Sequence, residues 1–410
     1  NPVLRTRSED VALICNQIGA REVLDVGSNL GGFLFYLEQF AGFRRLVGIE
    51  GDARFVADCL KVADLLGSHV QFIQKSFMSV TPPQKCHDSI ILQNVYHYLY
   101  DKIGDHEKIF RHLAAFGRSI IWYNPMDTND PVIPAHAQSN SATDWNNYNQ
   151  RKIFEGAIRA GFLHPLPLEL RYDGMGESRT HLLFVRDDIK FLQPSTCHED
   201  EIDGDPVKLR DHFKNVHEVR LGQSRSFKRF LIEPAKFMHR IQRLVTLGVL
   251  DESVCPDLRY IGDDAGNLVG YSQPRGVEFA TARGALHMSS ANRLYRMQIW
   301  VLISRMLRHD VFNIDVGEHN FVFLPHSIKP IMIDIEPFVL DASQGQALSI
   351  YHSRPNLEDI VGVQQNFNLI FPDLDIKIDN RNPMDVLWDA MSRSIFLKEV
   401  DKTALLDLLA

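Results

Sequence analysis

The feature that most limits the fold is a strand that runs through a glycine turn into a helix, Val23-Leu24-Asp25-Val26-Gly27-Ser28-Asn29-Leu30-Gly31-Gly32-Phe33. Glycines there let backbone amides approach a ligand closely, and the helix that follows presents its positive dipole end. Around this turn the first 190 or so residues alternate apolar runs with amphipathic stretches. REVLDV, RRLVGIE, VQFIQKS, DSIILQNV and RSIIWYN read as strands, and GGFLFYLEQF, DARFVADCLKVADLLG and HEKIFRHLAAF as helices. Strands separated by helices of that length predict a doubly wound, Rossmann-like α/β sheet, mostly parallel and covered on both faces. PLPLELRYDG and RTHLLFVRDD, joined by GMGES, predict an antiparallel hairpin that closes it.

A chain of 410 residues exceeds one such sheet. The stretch Thr196–Pro206, TCHEDEIDGDP, collects acids, Gly and Pro without apolar period, and is expected to be a linker between domains 1–195 and 207–410. Beyond it, short strand-like pieces (HEVRLG, SFKRFLI, LRYIG, NLVGYS) surround one helix, PAKFMHRIQRLVTLG, and helices dominate from about residue 285. That pattern predicts an α+β bilobal domain with a small lobe over about 207–275 and a large lobe over about 276–410. Arg305, Arg308, His309 and Asp310 read as a solvated helix end.

Lys+Arg 44 against Asp+Glu 52 gives a net charge of −8, which offers no attraction for a phosphate backbone, so no nucleic-acid partner is expected. The five cysteines form no C-x-x-C pair and read as free thiols of a reducing, cytoplasmic compartment. No apolar run approaches the ~20 residues of a membrane-spanning helix.

The glycine turn has the spacing D-x-G-x-x-x-G-G, not the G-x-G-x-x-G of a pyrophosphate-bridged dinucleotide, which favours S-adenosylmethionine over NAD. The second strand ends in Glu50, where a carboxylate accepts ribose hydroxyls. The third ends near Ser76 and Phe77, placed to line an adenine, and the fourth supplies Gln93, Asn94, Tyr96 and His97 at the carboxyl edge, where substrates bind. Tyr96 and His97 are candidates to accept a proton from the acceptor or to orient it, with a packed position as the alternative. Asn124-Pro125 lines the acceptor pocket or simply ends a strand. VLDVGSNLGGF, LVGIE and DSIILQNVYHYL together resemble the class I S-adenosylmethionine-dependent methyltransferases. That resemblance implies that Asp25, Gly27, Asn29 and Gly31 hold the methionine end of the cofactor, Glu50 the ribose, and Ser76 with Phe77 the adenine.

In the second half, Asp315 is followed five positions later by Asn320, then by a hairpin (FVFL, PIMIDI) ending in Asp334. This spacing suits phosphoryl transfer: Asp315 orients the acceptor hydroxyl, and Asn320 and Asp334 offer oxygens to Mg²⁺. Upstream lie Lys228 on a strand and a hinge segment near Gln273, both expected to meet ATP. The order resembles an atypical protein-kinase-like fold. It departs from that pattern at Asn313-Ile314-Asp315, at Asp334-Ile335-Glu336, in its single loop glycine, Gly222, and in Gln242 where a glutamate for Lys228 is usual. Turn residues without chemistry, or a pseudokinase, are the alternatives.

The domain pairing resembles the bifunctional kinase/methyltransferases that end bacterial polymannose O-antigen chains. That resemblance implies phosphorylation of a glycan terminus with ATP, followed by methylation of the phosphate or of a nearby hydroxyl, in lipopolysaccharide biosynthesis. It also implies a place in the cytoplasm, peripheral at the inner membrane, with a membrane or glycosyltransferase partner held through segments outside this sequence. The tail FLKEVDKTALLDLLA has an amphipathic helical period that suits packing on its own lobe or an oligomeric coiled coil.

Overall fold

The computed structural model describes residues 2–40, 42–134, 143–168, 181–209, 216–278, 288–313, 320–324, 327, 329–335, 339–341 and 346–347. Contacts divide the chain between Asp187 and Asp188 into two units.

The first unit opens with a helix absent from the sequence reading, α1 (Pro2–Gln17), whose Val11, Ile14 and Cys15, with Ile18 just beyond its end, form one buried face. Then follow β1 (Glu22–Val26), α2 (Gly32–Glu38), β2 (Arg45–Glu50), α3 (Ala53–Leu66), β3 (Gln71–Gln74), β4 (His87–Gln93), α4 (Tyr96–Ile103), α5 (His106–Ala114), β5 (Gly117–Tyr123), α6 (Gln150–Arg159), β6 (Leu166–Pro167) and β7 (Leu182–Val185). Their sheet has the order β3-β2-β1-β4-β5-β7-β6. β1 to β5 pair in parallel, and β7 runs antiparallel to both β5 and β6. This is the doubly wound sheet that the strand periods predict, with the closing hairpin as β6 and β7. The chain order reverses between β1 and β4, which opens a crevice at their carboxyl ends.

α3 shows how local signals set an element. Asp52 caps it by accepting from the Arg54 amide at 2.8 Å, and Gly67 ends it in a left-handed turn at φ 62°. Between the caps, Val56, Cys59 and Ala63 repeat at helical spacing and are buried.

The second unit holds β8 (Ser195–His198), β9 (Asp205–Pro206), β10 (His217–Leu221), β11 (Arg225–Phe230), α7 (Pro234–Thr246), β12 (Arg259–Gly262) and β13 (Leu268–Pro274), with the sheet order β8-β12-β13-β11-β10-β9. Phe237 of α7 stacks on Phe230 of β11 with ring centroids 4.4 Å apart. β14 (Val277–Glu278), the 22-residue α8 (Met288–His309), β15 (Val311–Asn313), β16 (Phe321–Phe323), β17 (Pro330–Met332), β18 (Val339–Asp341) and β19 (Gln346–Ala347) follow. β16 pairs with both β14 and β17, and β18 pairs with both β15 and β19.

Two expectations are corrected. The acidic stretch 196–206 is not a free linker: β8 pairs in parallel with β12 and β9 pairs with β10, so its ends cover both edges of the second sheet. Its polar composition suits strands that pair on one side only. Nor is Arg305 solvated. Its side chain is 2% exposed, with Nη1 2.7 Å from Asp251 Oδ1 and Nη2 donating to Oδ2 at 3.0 Å. α8 also buries Trp300, Leu302 and Met306, so this charge enters the core with a partner. The C-terminal tail and Asp315 lie outside the described residues.

Candidate active sites

The crevice in the first unit is a cavity of about 900 Å³. Its lining includes Asp25 on β1 with Gly27 and Asn29 just after it, Glu50 at the end of β2, Ser76 and Phe77 after β3, and Gln93 at the end of β4 with Asn94 next to it. The sheet order makes these positions neighbours, because each ends a strand at the same edge. Gly31 sits beside them in a left-handed turn at φ 69°, where an added Cβ would lie 2.7 Å from Phe72 Cζ. At Gly27, φ 70°, a Cβ would lie 2.7 Å from Val95 Cγ2. Both glycines are therefore required by backbone sign and by space.

Asp25 is 3% exposed, and its Oδ2 meets no hydrogen-bond partner. Burial pushes its carboxyl up to about 7, the Glu50 charge adds to the rise, and Arg7 opposes it. Glu50 is fixed differently: Oε2 accepts from the Asn29 amide at 2.9 Å and Oε1 from the Asp52 amide at 2.9 Å. Phe77 gives the cavity little of its ring, being 4% exposed and packed on Phe116 at 4.9 Å and His112 at 4.8 Å. Phe55 also lines the cavity and is only half-buried.

Tyr96 and His97 do not line this cavity; their neighbours Val95, Tyr98 and Leu99 do. The segment after β4 turns at once into α4, and a helical first turn points both side chains inward. Tyr96 is fully buried, with its hydroxyl 2.7 Å from His106 Nδ1 and its ring 4.6 Å from that of Trp122. Burial holds its phenol well above the usual range. His97 is 2% exposed. Asn124 is likewise buried and acts as a staple: its Oδ1 accepts from the Val95 and Tyr96 amides at 2.8 and 2.9 Å, while Nδ2 donates to Leu92 O at 2.7 Å. Sequence reasoning missed Arg7, Tyr98 and Lys102, all of which line the cavity.

In the second unit, Lys228 on β11 meets the Asp334 carboxylate, 106 positions away in sequence. Lys228 is 7% exposed and Asp334 half-buried, with φ 58°. His217, on the neighbouring β10, is held down to about 4 by burial and then by the Lys228 charge, against the pull of Asp334. Asn320 immediately precedes β16, is 2% exposed, and its backbone oxygen accepts from the Ile333 amide at 2.7 Å. The hairpin thus sets Asn320 and Asp334 at one end. An amide oxygen and a carboxylate are hard donors that fit Mg²⁺. Gln273 lies inside β13 with its amide donating to Met332 O at 2.9 Å and directed at Cys255 Sγ, 2.8 Å away, so its side chain is committed to the core. Gln242 is exposed on α7.

Fold and site together define a two-domain chain: a doubly wound α/β unit with a ligand-sized cavity at its switch point, and an α+β unit in which a strand lysine meets a strand-end aspartate. The chain is similar over its whole length to WbdD, described as a bifunctional kinase-methyltransferase, at 13% identity, covering 87% of that chain with a TM-score of 0.35. The magnesium protoporphyrin IX methyltransferase of Synechocystis, with bound S-adenosylhomocysteine, matches 45% of this chain and 84% of its own at 18% identity and TM-score 0.33. A Clostridium acetobutylicum S-adenosylmethionine-dependent methyltransferase matches 44% of this chain and 91% of its own at 9% identity and TM-score 0.34. The chain spans 40% of the length of EvdMO1 and 57% of a Nostoc punctiforme protein, aligning 45% of its own residues with each. No protein-family model and no curated protein matches it. Among the described residues, no helix is long and apolar enough to cross a membrane.

Proposed function

We propose that the first unit is an S-adenosylmethionine-dependent methyltransferase and the second an ATP- and Mg²⁺-dependent kinase, acting in turn on a glycan terminus. On this reading the terminus is phosphorylated and the phosphate then methylated, capping a surface polysaccharide. The observation that carries the first half is the unpartnered Asp25 Oδ2, buried in a cavity whose glycine turns leave no room for side chains. A buried acceptor in that setting asks for a cation, which the cofactor's α-ammonium is. Bound there, the cofactor supplies a methyl group on a sulfonium centre. Glu50, held by two backbone amides, keeps lone pairs for ribose hydroxyls. Among the described residues no histidine lines the cavity. An already ionised phosphate oxygen needs alignment and not deprotonation, which suits such a lining.

For the second half the supporting observation is the meeting of Lys228 with Asp334. Lys228 and the β13 segment would hold ATP, Asn320 and Asp334 the Mg²⁺, and Asp315 would orient the acceptor hydroxyl. The same contact also favours a second reading, a pseudokinase used for binding or regulation, since the lysine engages the carboxylate that a metal needs. Incubation with ATP, Mg²⁺, S-adenosylmethionine and a mannose-terminated oligosaccharide, followed by mass spectrometry, separates the two. Sequential gain of phosphate and methyl, with phosphate lost in Lys228→Ala, supports the bifunctional reading. Cofactor binding without any ATP turnover supports the pseudokinase.

A further inference from the structure

Among the described residues of the second unit two arginines are buried, Arg305 on α8 at 2% exposure and Arg240 on α7 at 6%. Arg305 meets both oxygens of Asp251. Arg240 differs: its Nη1 is enclosed and, among the described residues, meets no acceptor.

The packing of α7 explains how the guanidinium comes to be enclosed. Phe237, Ile241 and Leu244 turn the apolar face of the helix inwards, with Phe237 stacked on Phe230 of β11. By helical spacing Arg240 falls at the edge of that face, one turn from both Phe237 and Leu244. The acid close by in sequence is Glu233, which precedes the helix in a left-handed turn at φ 44° and accepts from Lys236 Nζ at 2.9 Å. Its charge reaches Arg240, yet burial outweighs it and lowers the guanidinium's pKa. A guanidinium nevertheless stays protonated in proteins, so Arg240 remains a shielded charge. Such a group weakens the fold unless an anion meets it.

The helix also says which anion suits. Lys236 lies one turn before Arg240 and Arg243 one turn after it, on the same side of α7. A stripe of cationic side chains favours a doubly charged group over a carboxylate, and a guanidinium offers phosphate oxygens a planar, two-pronged fit. The place is distinct from that of Lys228. The Lys228 and Asp334 charges act on His217, whereas the charge that acts on Arg240 is that of Glu233.

We infer that Arg240 anchors a site on α7 for a phosphate or phosphomonoester dianion, separate from the site at Lys228.

Hydrogen exchange of α7 peptides in the full chain, with inorganic phosphate titrated against chloride at constant ionic strength, tests it in wild type, Arg240→Met and Lys228→Ala. In wild type, phosphate at about ten times its half-saturating concentration should slow exchange about tenfold, because a ligand that binds only the folded state stabilises it in proportion to its excess over Kd. Lys228→Ala should keep that response. Arg240→Met, an uncharged chain of similar length, should lose it, and in phosphate-free buffer should exchange no faster than wild type. A wild type that does not respond to millimolar phosphate overturns the inference. So does a response that survives Arg240→Met, or one lost in Lys228→Ala, which would place the phosphate at the other site. Faster exchange or failure to fold of Arg240→Met without phosphate overturns it as well, since Arg240 would then already have a partner in the fold.

Discussion

Replacing Asp25 by asparagine tests whether this carboxyl is held in the cavity at a cost to the fold. The carboxyl titrates near 3.8 when exposed and near 7 in the folded chain, chiefly because burial disfavours its charge. A raised carboxyl pKa means that the folded state binds a proton which the unfolded state has released. Stability is therefore whole below the unfolded value, falls as pH rises between the two values, and stays low above the folded one. Evaluated at the two ends, the cost grows by about 2.5 kcal/mol from pH 5 to pH 8, a factor of about 70 in the opening equilibrium. The substituted amide would carry its own burial cost, but an amide does not titrate, so the change between the two pH values isolates the carboxylate. Hydrogen exchange of β1 and β4 peptides, variant against wild type at the same pH, reads this difference because intrinsic exchange rates cancel. The variant-to-wild-type protection ratio should rise by about 70-fold between pH 5 and pH 8. A ratio independent of pH would refute the reasoning. A ratio that falls would mean that the fold favours the charged form and that the carboxylate already has a partner.

Asp251→Ala should destabilise the second unit by about 3–5 kcal/mol, because it removes the carboxylate that meets the buried Arg305 guanidinium through both of its oxygens; exchange of α8 peptides measures it. Burial raises the Asp251 carboxyl, yet Arg305 and its hydrogen bonds outweigh this and lower it, so the pair's contribution should persist at neutral pH and fade below about pH 4. His97→Asn should leave methyl transfer within about threefold of wild type; a loss of ~10²-fold or more would make His97 a proton acceptor despite its place outside the cavity.

The five parallel strands, the hairpin and the glycine turn are legible in sequence because each has a local signal: apolar runs of strand length, turn residues, and glycines at positions where backbone sign admits little else. The cavity lining at Asp25, Glu50 and Gln93 follows from them, since a parallel sheet brings strand ends to one edge whatever the loops do. Tyr96 and His97 belong on that edge only if they are loop residues, and this fails because α4 begins two residues after β4 ends. YHYLYDKI carries aromatics at nearly every early position, so its helical period is hidden. Arg7 escapes for another reason. Val11, Ile14, Cys15 and Ile18 follow the i, i+3, i+4, i+7 rule and mark α1, but no local rule says that a helix before the first strand reaches the crevice.

Stretch 196–206 and Arg305 share a cause that bears on the second unit as a whole. In both, polar composition suggests solvent, whereas a one-sided edge strand and a buried ion pair also use polar residues, the first because half its surface is wet and the second because its charges meet. Composition cannot separate these cases, for the deciding fact is the partner: β12 for Ser195–His198, Asp251 for Arg305. The same holds for Lys228. From sequence its partner is sought on the helix that follows, at Gln242; in the fold that residue is exposed, and the carboxylate comes from Asp334 across 106 residues. Whether the contact is a resting arrangement that metal and nucleotide reorder, or the settled state of a domain that no longer turns over ATP, depends on how tightly Asp334 prefers an ammonium to Mg²⁺. Nucleotide affinity with and without Mg²⁺ in Lys228→Met decides it: a metal dependence that survives without the lysine assigns Asp334 to the metal, and one that never exists assigns it to Lys228.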